Sequence, residues 1–242
     1  AMDVYDRQGL YPGSEAFAAV DTFAREESLR PVTVRLDETV GVLNHYIRGL
    51  AGRSLRIESS DEVFTDTEVL FLPALLNRYG DKQNNFTLYK LMATYLWAQT
   101  RFGTFRKQTQ DDPPLSARLA EYSEPQRALS IFFALESIRL EACIKRELPG
   151  LWRQMNTLLE ISRDKPTAIE WQNALSKLKE PTSTIETTLE QLKLIYPQSV
   201  TAPTPQPWQG TLQLELAEQV LAIRMEQDRE ELKVRLSKLL RD

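Results

Sequence analysis

The chain has 242 residues, 42% hydrophobic and 26% charged, with 30 Lys and Arg against 34 Asp and Glu for a formal charge of -4. This is the composition of an ordinary globular protein with a sizeable core in one or two domains. Its acidity gives no net attraction for phosphate backbones or anionic lipid, so neither nucleic acid nor membrane is an expected partner.

In chain order, the opening AMDVYDRQGLYPGSEAF lacks the basic start and apolar core of a targeting segment, and Ala1 before Met2 reads as an expression scar. No apolar run reaches the roughly 20 residues that cross a bilayer. Between Val32 and Gly49, Leu36, Val40, Leu43 and Ile47 recur at helical spacing, with Gly49 and Gly52 as stops. Leu55–Ile57 and Val69–Leu72 alternate around the polar turn ESSDEVFTDTE and predict a small strand pair, after which sheet is expected to end. Asn84–Phe105 predicts a helix with a polar cap and a Gly turn at its end.

The remainder reads as helices punctuated at Asp111–Leu115, Pro149–Gly150, Pro166, Pro181 and the Pro-rich Gln198–Gly210. Pro125, after Ser123 and Glu124, marks the start of a helix, and Pro149–Gly150 marks its stop. Leu151–Ile161, Ile169–Leu178 and Ile185–Ile195 are each about three turns long, too short to stand alone in water, which implies an antiparallel array. Leu212–Leu240 has 29 residues without Pro or Gly and spans about 43 Å if continuous. It carries two apolar stripes: Leu212, Leu216, Val220 and Ile223 on one side, and Leu214, Leu221, Met225, Leu232, Leu236 and Leu239 on another. Its first half is expected to pack between two surfaces and its second half against one.

No fixed-period repeat is present. The fold class is mostly α (α+β): an irregular antiparallel helical domain with a small β-hairpin or sheet near residues 54–72 and a long C-terminal helix. The expected organisation is a helical domain over residues 1–197, a Pro-rich loop over 198–210 and the long helix over 211–242.

The residues that carry chemistry are sparse. His45 is the only histidine, which excludes a zincin helix, and with no evident partner it reads as structural or surface. Cys143, the only cysteine, excludes a disulfide framework, points to a reducing, cytoplasmic compartment and lies on an apolar helical face as a packing residue. Neither a Walker loop nor a G-x-G-x-x-G pattern occurs, so no nucleotide cradle is read.

Arg101, Arg106 and Lys107 interleave with Phe102 and Phe105 as in a base-stacking surface, but the overall acidity favours a solvated helix end. Projection at 100° per residue sets Glu136 among Phe132, Phe133, Leu140 and Cys143, with Arg139 one turn on and Arg127, Ser130, Ser137, Glu141 and Lys145 on the exposed face. A buried carboxylate must be paired or neutralised, so a structural Glu136–Arg139 ion pair is expected rather than a catalytic acid. No catalytic, cofactor-binding or metal residue is assigned.

Asn85-Phe86-Thr87-Leu88-Tyr89-Lys90, followed by Phe102-Gly103-Thr104-Phe105, resembles the N-terminal region of the CbbO/NorD family, whose members end in a von Willebrand factor A domain. Leu135-Glu136, Arg139, Glu141 and Leu148-Pro149-Gly150-Leu151 resemble that family's L-E-D-x-R-x-E helix and Y-P-G-L turn. The similarity covers roughly Leu36 to Leu151, and Glu136, Arg139, Phe102, Gly103, Pro149 and Gly150 are its structural markers. Where the family carries His-Gln-x-Gly-x-x-Glu, this chain has Tyr95, Leu96, Ala98 and Arg101, and Ser137 stands where the family has an acidic residue.

The resemblance implies a non-catalytic adaptor, without cofactor, that works with a hexameric MoxR-type AAA+ ATPase. The favoured case is CbbQ-like, with rubisco as client reached through a C-terminal domain not present in these 242 residues. Its alternatives are a NorD-like role in maturing nitric oxide reductase and a degenerate metallopeptidase-like domain with residual hydrolase activity.

Overall fold

A computed structural model describes residues 32–53, 55–109, 111–162, 172–198 and 202–239. The expectations placed on the opening segment and on Pro166 lie outside these residues, as do parts of those for Ile169–Leu178 and Gln198–Gly210. Among the described residues the chain is mostly α, with eight α-helices and small sheets.

Strand β1 (Val34–Arg35) leads into α1 (Leu36–Ala51), and Gly52 closes that helix with φ 66° while donating its N–H to the Arg48 carbonyl at 3.0 Å. Gly49 lies inside α1 and does not stop it, because its backbone stays right-handed. Then come β2 (Arg56–Ser59), β3 (Phe64–Thr65), β4 (Val69–Leu72) and β5 (Leu75–Leu76).

The predicted pairing of the two outer segments is antiparallel only if one turn joins them, and here the intervening residues form a strand of their own. β3 therefore makes the hairpin with β4, with Phe64 opposite Phe71, whereas β2 runs parallel to β4, with Arg56 level with Val69. The hairpin turn is built by Asp66, whose Oδ1 accepts the N–H groups of Glu68 at 2.8 Å and Val69 at 2.7 Å, and by Thr67 at φ 86°. The Phe64 and Phe71 rings stack at 4.3 Å. Sheet also continues past Leu72, since β5 pairs antiparallel with β1, Leu76 against Val34.

Helix α2 (Lys82–Arg101) begins earlier than its sequence cap suggests. Asp81 is the N-cap, and its carboxylate accepts the Asn84 N–H at 2.7 Å. Asn85 is buried instead, its amide bridging the Tyr79 backbone N–H and carbonyl at 2.9 and 2.8 Å. Thirteen of the twenty residues of α2 are buried, so this helix is core on most of its circumference.

A short α3 (Leu115–Ala120) precedes α4 (Pro125–Glu147), and α5 (Pro149–Ser162) follows after Leu148 alone. Pro149 thus starts the next helix, at a position where its missing N–H has no helical acceptor to lose. α6 (Gln172–Leu178) and α7 (Ile185–Ile195) complete the array, α7 entered through reciprocal Thr184 and Thr187 caps.

α4 joins two apolar cores. Phe133, Leu140 and Ile144 face one built with α1, α2, α5 and the strands, while Ala128, Ile131, Phe132 and Leu135 face another built with α3, α6 and α7. Residues 202–213 strap the two halves together. Trp208 is fully buried in the first core, and the Thr211 N–H donates to the Val63 carbonyl at 2.8 Å. Gly210 makes that approach possible, having φ 66° and a position where a Cβ would stand 2.0 Å from the Val63 oxygen.

The last helix, α8 (Leu214–Leu239), buries Leu214 and Ala217 at its start. The expected packing of its second half is not found among the described residues. Met225, Leu232, Val234 and Leu236 are about half exposed, at 59, 58, 52 and 49%. Among the described residues, the physical reason is that the last ion pair from α8 to the body is Arg224–Glu68, 2.5 Å long, beyond which the ion pairs of α8 are within the helix.

Two glycine substitutions should separate in sign. Gly210→Ala must clash with Val63 and strain φ, and should lower unfolding stability by at least about 2 kcal/mol. Gly49→Ala, in open space on α1, should raise it by about 0.5–1 kcal/mol. Urea unfolding of both variants beside the parent checks the pair.

Candidate functional site: a buried clamp and a half-open groove

The Phe102-Gly103-Thr104-Phe105 run is the C-terminal cap of α2. Gly103, at φ 76°, donates its N–H to the Thr100 carbonyl at 3.3 Å, and the Thr104 N–H reaches the Gln99 carbonyl at 2.8 Å. These are the two bonds of a Schellman motif, which needs a left-handed residue where Gly103 stands. The cap turns the Thr104 hydroxyl and the Phe102 carbonyl toward α4.

There they meet Glu136 and Arg139, whose residues are 0 and 1% exposed. Thr104 Oγ1 donates to Glu136 Oε1 at 2.5 Å, and Thr188 Oγ1, from α7, donates to Oε2 at 2.7 Å. Arg139 adds a fork, Nε to Oε2 at 2.9 Å and Nη2 to Oε1 at 2.5 Å, while the same Nη2 donates to the Phe102 carbonyl at 3.1 Å. Each carboxylate oxygen therefore accepts two donors, as a charge without water requires.

The expected ion pair is present, and Phe102, Gly103, Glu136 and Arg139 form one cluster. Pro149 and Gly150 do not join it; they are exposed in the first turn of α5. Thr104 and Thr188 complete the cluster without having been singled out. Thr104 sits inside a motif already in view, whereas Thr188 carries no sequence signal beyond lying on the buried face of α7.

The face of α4 expected to be exposed is only partly so. Ser137 is buried, accepting from the Tyr95 hydroxyl at 2.6 Å and donating to the Phe133 carbonyl at 2.7 Å. Glu141 lies under the 202–213 strap, accepting from Gln209 Nε2 at 2.9 Å. Burial pushes its carboxyl above the ordinary carboxylate range, partly offset by the Gln209 bond.

Tyr95 is fully buried, and burial raises its hydroxyl well above the usual phenol value. Arg101 is exposed beside the Phe102 ring, 5.9 Å from its centre. Burial likewise raises the Cys143 thiol, the form that packs rather than reacts. His45 is exposed on α1, its Nδ1 2.7 Å from the Gly41 carbonyl. Among the described residues no group of three or more His, Cys, Asp or Glu side chains is placed to hold a metal ion, and no helix is long and apolar enough to cross a membrane.

Directly outside the clamp, the loop after α2 and the flank of α8 enclose a half-open groove of about 780 Å³. Phe105, Leu221 and Met225 give it apolar surface, with Arg106 and Lys107 from the loop and Glu218, Glu226 and Arg229 from α8. Glu218 is fixed by the Ser116 N–H at 2.9 Å and by the Ser116 hydroxyl. Comparison of the chain with protein-family profiles, curated proteins and solved structures gives no match in any of the three.

Removing one member of the clamp leaves a buried charge unpaired. Arg139→Met should cost about 3–5 kcal/mol, and Thr188→Val about 1.5–3 kcal/mol. The combined Glu136→Leu, Arg139→Met variant should be more stable than Arg139→Met alone. Chemical unfolding of the set tests this, and simple additivity would contradict the clamp.

Glu141 gives a pH dependence of known sign. Its folded-state value is raised, so its contribution is complete below the ordinary carboxylate range and is lost as pH rises through the raised value. Glu141→Gln should flatten that loss and stabilise the protein at neutral pH. Urea midpoints measured from mildly acidic to neutral pH check it, and identical pH profiles for parent and variant would refute it.

Proposed function

We propose that the chain is a non-catalytic adaptor domain that couples a hexameric MoxR-type AAA+ ATPase of the CbbQ kind to its client in the cytoplasm. The client in this reading is rubisco, relieved of inhibitory sugar phosphates and engaged through a C-terminal domain outside these 242 residues. The observation that supports it is the junction of the two segments that carry the family resemblance. Phe102–Phe105 and Glu136–Arg139, more than thirty residues apart in sequence, are joined by the Thr104–Glu136 and Arg139–Phe102 hydrogen bonds.

The most distinctive polar residues of the resemblance thus have a shared structural task. Glu136 has its lone pairs occupied and Arg139 is locked to it, so both serve as scaffold. A scaffold of this kind acts by presenting surface to other proteins.

Binding decides the matter. The purified chain is incubated with its cognate AAA+ hexamer and nucleotide, with the full-length adaptor as control, and association is followed by sedimentation. Co-sedimentation of the chain with the hexamer is expected. Association of the full-length protein but not of this chain would sink the docking role.

A further inference from the structure

The exposed half of α8 carries a seam that the other described residues do not cover. Ala222, Met225, Arg229, Leu232, Leu236 and Leu239 follow one another at steps of 3, 4, 3, 4 and 3 residues, the spacing of positions that face a second helix in a coiled coil. Of these, Met225, Leu232 and Leu236 are 59, 58 and 49% exposed. The seam begins beside the groove, to which Ala222, Met225 and Arg229 contribute. Ile223 and Val234 are also exposed but lie off the seam.

The charges beside the seam identify what covers it. Glu226 and Asp228 flank its first part, and Lys233 and Arg235 flank its second. We propose that α8 pairs antiparallel with α8 of a second copy of this chain, with Met225 level with Leu236 of the second copy and Arg229 with Leu232.

In that register Glu226 meets Lys233 of the second copy on one flank, and Asp228 meets Arg235 on the other. Two-fold symmetry repeats each pair. Sliding the helices by one heptad in one direction sets Lys233 against Lys233 and Arg235 against Arg235. Sliding the other way sets Glu226 against Glu226 and Asp228 against Asp228. In-register parallel pairing sets Arg229 against Arg229 within the seam. Charge therefore selects one arrangement, and its complement is the chain itself.

The bonds these side chains make within one helix do not stand in the way. Arg224–Asp228, Arg229–Glu226, Lys233–Glu230 and Arg235–Glu231 join side chains that are 37 to 72% exposed, and such surface pairs are weak and readily exchanged. Arg106 and Lys107, from the loop after α2, take no part in the pairing. The surface stands independently of the ATPase reading, since it concerns only this chain.

The test uses the whole chain and two charge-reversed forms, E226K/D228R and K233E/R235E, in sedimentation velocity over a concentration series reaching the hundred-micromolar range. The parent should pass from monomer to dimer. Each reversed form should dimerise at least about tenfold more weakly, because four attractions become four repulsions. An equimolar mixture of the two should form a heterodimer, and the chain carrying all four changes should regain the parent's dimerisation, which rules out misfolding as the cause of any loss. A parent that stays monomeric throughout would overturn the proposal and assign the seam to a different occupant. Dimerisation indifferent to charge reversal, or a mixture that fails to associate, would overturn it too.

Discussion

A carboxylate with no access to water governs how this fold is assembled. Isolated in an apolar interior, the Glu136 charge would be prohibitively unstable. It is tolerated because three helices deliver donors to it: Thr104 from the cap of α2, Arg139 from α4 and Thr188 from α7. The demand fixes distances that apolar packing alone leaves loose, since a side chain can slide along a greasy surface but not along a fork of hydrogen bonds. α4 stands between the two apolar cores, so the clamp also sets how those cores sit against each other.

The two ends of that constraint differed in legibility. The helical period on α4 placed Glu136 in an apolar arc and named Arg139 as its partner, because both lie on one helix and need only 100° per residue to compare. The Thr104 contribution depends on where the cap of α2 arrives in space, and Thr188 on how α7 crosses α4. Neither is a local property. The same limit explains Ser137 and Glu141: the wheel of α4 sees only α4, whereas Tyr95 from α2 and Gln209 from the strap cover those two positions.

Helix existence and order were readable from period and punctuation, with α7 recovered at its observed bounds. Short strands fared worse. Periodicity marked Val69–Leu72 and paired it with the segment around Ile57, its parallel neighbour, but missed β3, because the β3–β4 turn depends on Asp66 and on a left-handed Thr67, a residue type that rarely adopts that conformation. β1 and β5, with two residues each, are too short to show any period. The long last helix was visible as a pattern, but a pattern of apolar residues states only that something is to be covered. It does not state whether the cover is intramolecular.

Glu68 links these local features to the direction of α8. Its carboxylate accepts from Arg53 just after α1, with Arg53 also bound to the Thr67 carbonyl at 2.9 Å, and from Arg224 on α8. A single acidic side chain on the β3–β4 turn thereby ties α1, the hairpin and the last helix. From that point α8 continues with no Gly or Pro and with successive ion pairs three or four residues apart, each adding a few tenths of a kcal/mol to helix formation. An isolated helix must first form a costly nucleus, but here that nucleus is already formed by the packed turns around Leu214 and Ala217. Helix propagates outward from an anchored start, so the orientation of its apolar seam follows from the anchor and not from contacts along the seam itself.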